Sequence, residues 1–443
     1  VVLKKLREES KGFSKQCIAI EQGVARIMKQ QEVNGFKFDL QSALLLLAEL
    51  REKKQAIEDE VHNTFKPKWV DDKLVTPYIK KDGDLSKRGL TDDEYKRCID
   101  TNNFKPFMRQ TLQVFNLGSR KQIGEYLIDF GWKPERFTPT GQPIVDEKTL
   151  SAITHIHEAK LIADFLLLQK RIAQVDSWVE GVQEDGRVHG FVIPNGAITG
   201  RMTHRNPNMA QVPAVYSPYG KECRACWTVE EGNVLIGVDA SGLEIRMLAH
   251  YMNDEEYTNE ILNGDIHTAN QKLAQLESRD KAKTFIYALM YGAGDEKLGS
   301  VVGGSTSDGK RARQYFFDNK PTFKSLRDRV QRASAKNYLK GLDGRKLYVR
   351  NQHSALNTLL QGAGAIVMKQ GLVLLDDVLR LNSMEYKFVA NIHDEWQIEV
   401  PKCHADKVGQ LAVESIVKAG THFNLRCPLD GEYKIGANWS ETH

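Results

Sequence analysis

"NVLIGVDASGLEIRMLAHYM", residues 233–252, reads as a buried strand running into a helix. Five of the six residues from Val234 to Asp239 are apolar or glycine, and the run ends in a carboxylate. Ser241 followed three residues later by Glu244 matches a capping box, which predicts that the helix begins there. A second stretch, "EYKFVANIHDEWQIEVP" at 385–401, reads as two short strands flanking a tight turn at His393, Asp394 and Glu395. Each stretch therefore delivers an aspartate, Asp239 or Asp394, to the edge of an element.

Two such acids are a compact way to hold magnesium. That ion keeps several waters and takes one or two carboxylates from a protein, while substrate phosphates complete its octahedron. A pair of ions sharing them would activate an attacking hydroxyl and stabilise a leaving oxygen. Taken singly, each acid reads equally as a cap or a turn residue.

The stretch "RDKAKTFIYALMYGAG" at 279–294 places Arg279, Lys283, Tyr287 and Tyr291 at four-residue steps. At about 100° per residue each step drifts about 40°, so the first three share one stripe of a helix. Arg offers a fork for phosphate oxygens, Lys a point charge, and a tyrosine beyond them can meet a sugar or a base. The stripe suits a nucleotide; a charged solvent edge beside core tyrosines is the alternative.

The 443 residues, 41% of them hydrophobic, can bury several cores, so two or three subdomains are expected. No run approaches about 20 apolar residues and no signal peptide is evident, which excludes a membrane partner and places the protein in the cytoplasm. Six cysteines are too sparse for a disulfide scaffold, and the lone CxxC of Cys223 and Cys226 does not suggest zinc. Net charge is only +4, so a polyanion site needs local clustering. Residues 324–350 supply it, with nine Lys and Arg against two Asp.

Residues 18–64 carry helical periodicity, with Leu44, Leu47, Leu50 and Ile57 able to share a face, and a second long helical stretch spans about 146–180. Between them, 66–112 reads as an inserted loop module rich in proline and mixed charge. Residues 187–220 alternate short apolar pieces with glycine and proline, as strands and turns do.

Several motifs in order resemble family A DNA polymerases. The 279–294 helix is similar to that family's O helix, "VDASGLEIRMLAH" to motif A and "IHDE" to motif C. "TGRMTHRNPNMAQVP" from Thr199, "GDIHTAN" from Gly264, "GLDGRK" from Gly341, "ALNTLLQGAGA" from Ala355 and the terminal "GANWSETH" add to it. The likeness spans about residues 15–443 and is closer to the replicative polymerases of T-seven-type podophages than to bacterial repair enzymes.

The resemblance implies an α+β right-hand fold with palm, fingers and thumb, its antiparallel palm sheet flanked by helices. The expected division is 1–190 for an N-terminal segment and thumb, 191–256 and 351–443 for the palm, and 257–350 for the fingers. The implied activity is template-directed addition of dNTPs to a primer 3′-hydroxyl with release of pyrophosphate, in phage replication. Two Mg2+ ions would sit on Asp239, Asp394 and the Ala240 carbonyl. Arg279, Lys283 and His267 would hold the triphosphate, Tyr287 would lie beside the sugar and Tyr291 beside the nascent pair. His393 and Glu395 would stand near the primer end. Glu244, beyond its cap reading, would exclude a ribose 2′-hydroxyl.

Arg201 and Gln361 would donate to minor-groove acceptors of primer-template DNA, which every Watson-Crick pair presents. Residues 1–40 are too short for the family's exonuclease domain, so proofreading is not expected. The 66–112 insertion stands where phage relatives dock a thioredoxin-like processivity factor, but it is shorter. A single-subunit RNA polymerase and a catalytically inactive DNA-binding scaffold of the same fold are the rival readings; Glu244 and the Asp394-Glu395 pair speak against the first, and the intact acids and stripe against the second.

Overall fold

The structure, a computed structural model, describes Lys4, Lys5, Glu8 and residues 13–442. In chain order its main elements are α1 (Lys15–Asn34), β1 (Phe36–Phe38), α2 (Leu40–Thr64), β2 (Lys68–Val75), α3 (Asp92–Asp100), β3 (Phe107–Gln113), α4 (Arg120–Asp129), α5 (Glu147–Ala152) and α6 (His157–Glu180). There follow β4 (Arg187–Val188), β5 (Phe191–Ile193), β6 (Thr203–Arg205), α7 (Gly220–Ala225), β7 (Trp227–Thr228), β8 (Asn233–Ala240), α8 (Leu243–Met252), α9 (Glu255–Asn263), α10 (Ile266–Ala274) and α11 (Arg279–Met290). The last are α12 (Asp295–Val302), α13 (Thr306–Asn319), α14 (Pro321–Ala333), β9 (Tyr338–Lys340), β10 (Lys346–Tyr348), α15 (Ala355–Leu381), β11 (Lys387–Ile392), β12 (Glu395–Pro401), α16 (Ala405–His422) and β13 (Gly431–Gly436). The chain divides into two compact units, Val1–Leu44 with Ser177–His443, and Leu45–Asp176.

The first unit is built on an antiparallel sheet of order β11-β12-β8-β13. Strand alternation sends Ile236 and Val238 of β8 to one face with Trp396, Ile398 and Val400 of β12, and these join Leu372, Leu375 and Ile416 in the main core. Burying each aliphatic side chain of this size contributes about 1.5–3 kcal/mol. On the opposite face Gly237 pairs with Gln397, and a Cβ there would collide with the backbone oxygen of Thr442. Glycine at 237 thus lets the C-terminal segment cross the sheet.

The second unit has its own core of Phe65, Phe115, Tyr126, Leu127, Ile162 and Phe165 among others. Its inserted part differs from the loop expected over 66–112. β2 and β3 pair antiparallel, and α3 between them carries the capping box of Thr91 and Glu94. Arg109 of β3 grips the Glu94 carboxylate and holds it down to a pKa of about 2. Charge that reads as loop composition is spent here on caps and ion pairs.

Other expectations are corrected. The periodicity of 18–64 is broken at Gly35, whose positive φ of 61° ends α1 ahead of β1, and Leu44 is exposed while Leu47 and Leu50 are buried. The 146–180 helix is two, α5 and α6. In the basic stretch, Arg345 is buried against Asp343 and Glu21 at 2.7 and 2.6 Å, so it does not belong to the surface cluster; Lys324, Arg329, Arg332, Lys336, Lys340 and Arg350 remain exposed. Among the described residues one helical stretch, 352–381, is long and apolar enough to cross a membrane, and 83% of its most apolar window is buried inside the fold. It contains α15, whose residues 362–372 are all buried, so its middle is apolar because it packs on every side.

Candidate active site

The end of β8 and the β11-β12 hairpin meet. Glu395 pairs with Asp239 across the ladder, and the Ala240 amide donates to the Asp394 carbonyl at 3.2 Å. The turn is His393-Asp394 alone: Glu395 already belongs to β12, one residue less than expected. His393 takes φ 56°, uncommon for a residue with a Cβ, and so folds the hairpin back sharply enough to bring Asp394 beside Ala240. Burial pushes the Asp394 carboxyl above its ordinary range, with Glu244 adding to it and Arg201 opposing. It is an acid that gains from a cation. Two carboxylates and a backbone carbonyl offer only hard oxygen donors, which fit magnesium. Among the described residues no three His, Cys, Asp or Glu side chains form a cation cage, and a site completed by phosphates does not need one.

Glu244 is not a capping-box partner. Gly242 occupies the N-cap of α8 with φ 57°, and no side chain caps that end. The turn offsets Ser241 from the helix, and Ser241 instead donates its amide to the Asp430 carbonyl. Glu244 is left to face outward into the cleft, where it accepts from Arg201 Nη2 at 2.8 Å and from the Tyr291 hydroxyl at 2.5 Å. Burial and this carboxylate together drive the Tyr291 phenol upward, so it stays protonated as the donor.

Ser278 caps α11 by accepting from the Lys281 amide. At the other end Tyr291 is the C-cap, and Gly292, with φ 79°, closes a Schellman motif in which the amides of Ala293 and Gly292 reach the carbonyls of Ala288 and Leu289. That explains the first glycine of the Gly292-Gly294 pair. Along the outer edge of α11, Arg279 and Lys283 are exposed, Tyr287 is half-buried and Tyr291 is 44% exposed. The Tyr287 ring lies 6.4 Å from His267 and 6.2 Å from Tyr291. Burial, then the Glu244 and Asp394 carboxylates, raise the Tyr287 phenol. Burial and the Arg279 and Lys283 charges lower the His267 imidazole, keeping it neutral. The α11 edge, through His267 and Tyr287, thus adjoins the Asp394 turn and the end of β8 that carries Asp239.

The sequence model for DNA polymerase family A matches residues 93–441. The chain belongs to that family. It is 37% identical to the DNA-directed DNA polymerase of Enterobacteria phage T3 and 36% identical to that of Escherichia phage T7, in each case over 97% of this chain and 70% of the relative. DNA polymerase I of Caldicellulosiruptor bescii is 29% identical over 74% of this chain and 41% of its own length. Among solved structures, the POL domain of Pol1 from M. smegmatis, in complex with DNA primer-template and dNTP, superposes with a TM-score of 0.78 at 21% identity, covering 95% of this chain and 70% of that one. The fold of the polymerase family is therefore present across both compact units.

Within this polymerase Glu395 is anchored at the start of β12. Its buried carboxylate accepts from Trp439 Nε1 and Gln397 Nε2, both at 2.6 Å, with the Arg224 guanidinium 3.8 Å away. Gln361 lies half-buried in the first turns of α15. Two contacts escaped the reading of the sequence. One is Trp439, which ties the C-terminal segment to the hairpin. The other is Asp265, which accepts from Arg279 Nε at 2.6 Å; its place before Ile266 and His267 carries an N-cap signal that was legible.

Proposed function

We propose that the chain carries out template-directed DNA synthesis, adding dNTPs to the 3′-hydroxyl of a primer by in-line phosphoryl transfer with release of pyrophosphate. The observation that supports this best is the meeting of Asp239-Ala240 with Asp394 within electrostatic reach of Tyr287, on the helix that also carries Arg279 and Lys283. Two Mg2+ ions held by Asp239, Asp394 and the Ala240 carbonyl would supply the charge that activates the primer hydroxyl and offsets charge on the leaving pyrophosphate. Arg279 and Lys283 bind the triphosphate, and the neutral His267 donates a hydrogen bond to it. Tyr287 borders the sugar, and Tyr291 the nascent base pair. Arg201 and Gln361 read minor-groove acceptors, with Arg201 shared between DNA and Glu244. His393 and Glu395 stand near the primer end, and Glu395 also fixes the hairpin that carries Asp394.

In this reading the β11-β12-β8-β13 sheet with α8, α15 and α16 is the palm, α10 to α14 belong to the fingers, and the 45–176 unit is the thumb. A primer-extension assay with Mg2+, run with dNTPs and with rNTPs, tests the activity: extension with dNTPs only is expected, preference for rNTPs would establish the RNA polymerase alternative, and no extension would leave a scaffold.

Sugar selection gives a sharper test. Glu244→Ala is expected to raise ribonucleotide incorporation by opening the cleft near the 2′ position. Since Glu244 caps nothing, the accompanying stability loss comes from its charge-assisted bonds to Arg201 and to the Tyr291 hydroxyl, about 1.5–3 kcal/mol at most for each. Ratios of kcat/KM for rNTP over dNTP and a melting curve check both; destabilisation with an unmoved ratio would leave Glu244 structural.

The thumb insertion is the proposed seat of a thioredoxin-like processivity factor. Its β2-β3 ribbon turns Trp69, Leu74, Met108 and Leu112 to one face, and all four are about half or more exposed, from 48% to 66%. Such a face is unusual on a surface without a partner. Because the two strands pair along their length, removing residues 68–110 leaves ends that a short Gly/Ser bridge can join. That deletion should preserve single-nucleotide addition and shorten products made per DNA encounter. Product length under a trap, with and without thioredoxin, is the measurement, and lengths unchanged in both would show the insertion to be inert.

A further inference from the structure

We propose that Asp265 is a positioning residue for the incoming triphosphate: its carboxylate holds the Arg279 guanidinium in the orientation that receives phosphate oxygens. The inference rests on the assignment of the α11 edge to the triphosphate. Asp265 is anchored on several sides. Its Oδ1 accepts from the His267 amide at 3.0 Å and the Thr268 amide at 3.4 Å, and its Oδ2 from Thr268 Oγ1 at 2.9 Å. The carboxylate cannot turn without breaking these bonds. Arg279 spends its Nε–H on Oδ2 at 2.6 Å.

An arginine has five N–H donors in a planar fork, so fixing the Nε edge sets the plane of the whole group and leaves the two terminal nitrogens for a phosphate. The guanidinium remains about half exposed, open to a ligand from the cleft. Asp265 also caps α10, the helix whose first turn presents His267, so one carboxylate aligns two of the groups assigned to the triphosphate. Its acidity agrees with permanent service as an anion. The Arg279 bond, foremost, holds the carboxyl well below the usual range, and Arg279 is raised in return.

The opposing possibility is a counter-ion that the triphosphate must displace, and the two differ in sign. Asp265→Asn keeps a capping side chain as good as aspartate while removing the charge. With a positioning role, KM for dNTP rises about twofold to fivefold, the range of an exposed ion pair, while kcat stays within about twofold. KM for pyrophosphate in the reverse reaction rises by the same factor, because pyrophosphate shares the phosphate contacts without base or sugar. In an Arg279→Ala background the substitution adds nothing further. Asp265→Ser, another neutral cap, repeats the measurement should the asparagine variant fold poorly.

A fall in both KM values would overturn the proposal in favour of a displaced counter-ion. Unchanged KM values beside a raised KM in Arg279→Ala would leave Asp265 a cap only, with the triphosphate assignment intact. An unchanged KM in Arg279→Ala would remove that assignment and the inference with it.

Discussion

Asp239→Asn and Asp394→Asn each lose primer extension by several orders of magnitude while primer-template binding survives. Asparagine keeps the shape of each side chain and replaces a charged oxygen by an amide, so what disappears is negative charge at the junction of β8 and the hairpin. If the basic cluster carries DNA affinity, as its density suggests, the substitutions spare it: the exposed Lys324, Arg329, Arg332, Lys336, Lys340 and Arg350 are untouched. Nor does unfolding account for the loss. The Asp394 carboxyl titrates above its ordinary range because burial disfavours the ionised form, so the charge weakens the fold at neutral pH in the absence of a cation. A neutral side chain there removes that cost, and the melting temperature of Asp394→Asn should hold or rise. Extension rate, a binding isotherm and a melting curve on the same preparation separate the effects. Extension by either variant within tenfold of the parent would show the metal assignment to be wrong.

The two acids were legible because each ends a pattern that local physics writes plainly. A run of Val, Leu, Ile and Gly closing on Asp239 has few folded settings other than a buried strand, and the alternation after Glu395 is that of a strand beside it. The sequence also carried the α11 stripe, since four-residue spacing fixes direction on a helix whatever surrounds it. Reading failed where a short-range signal met a backbone conformation it did not encode. Ser241 and Glu244 satisfy a capping pattern, yet Gly242 adopts a left-handed conformation between them, and Glu244 becomes a cleft residue. Gly35 likewise cuts a periodicity that otherwise runs on.

Other features lie beyond local reading because their partners are distant in the chain. Arg345 counts as surface charge until Glu21, 324 residues away, is seen to bury it. Glu395 reads as a turn residue, and the bond it accepts from Trp439, 44 residues on, is invisible locally. The mixed charge of 66–112 resembles loop composition, and only the pairing of β2 with β3 distinguishes it from one. In each case the deciding contact, an ion pair, a hydrogen bond or a strand pairing, joins residues far apart in the sequence, and composition records the groups without their partners.

Tyr287→Phe should increase discrimination against dideoxynucleotides by about tenfold to a hundredfold while normal dNTP addition changes little. This phenol is half-buried on α11, 6.4 Å ring to ring from His267 and close enough to Asp394 and Glu244 that, after burial, both carboxylates raise it. Raised in this way, the hydroxyl is protonated at any working pH and can donate. A dideoxynucleotide lacks the 3′-hydroxyl that would make a hydrogen bond near the triphosphate, and the tyrosine hydroxyl can supply that bond in its place; phenylalanine cannot. A bond to a charged group is worth about 1.5–3 kcal/mol, and about 1.4 kcal/mol is a factor of ten. Normal substrates carry their own hydroxyl and lose little. Packing changes little as well, because the ring stays and only an oxygen is removed. If Tyr287 served packing alone, both substrates would suffer equally. The comparison is kcat/KM for dTTP and its dideoxy analogue on parent and variant. A ratio that does not move would remove the sugar contact from Tyr287 and require the nucleotide to lie along α11 in a different pose.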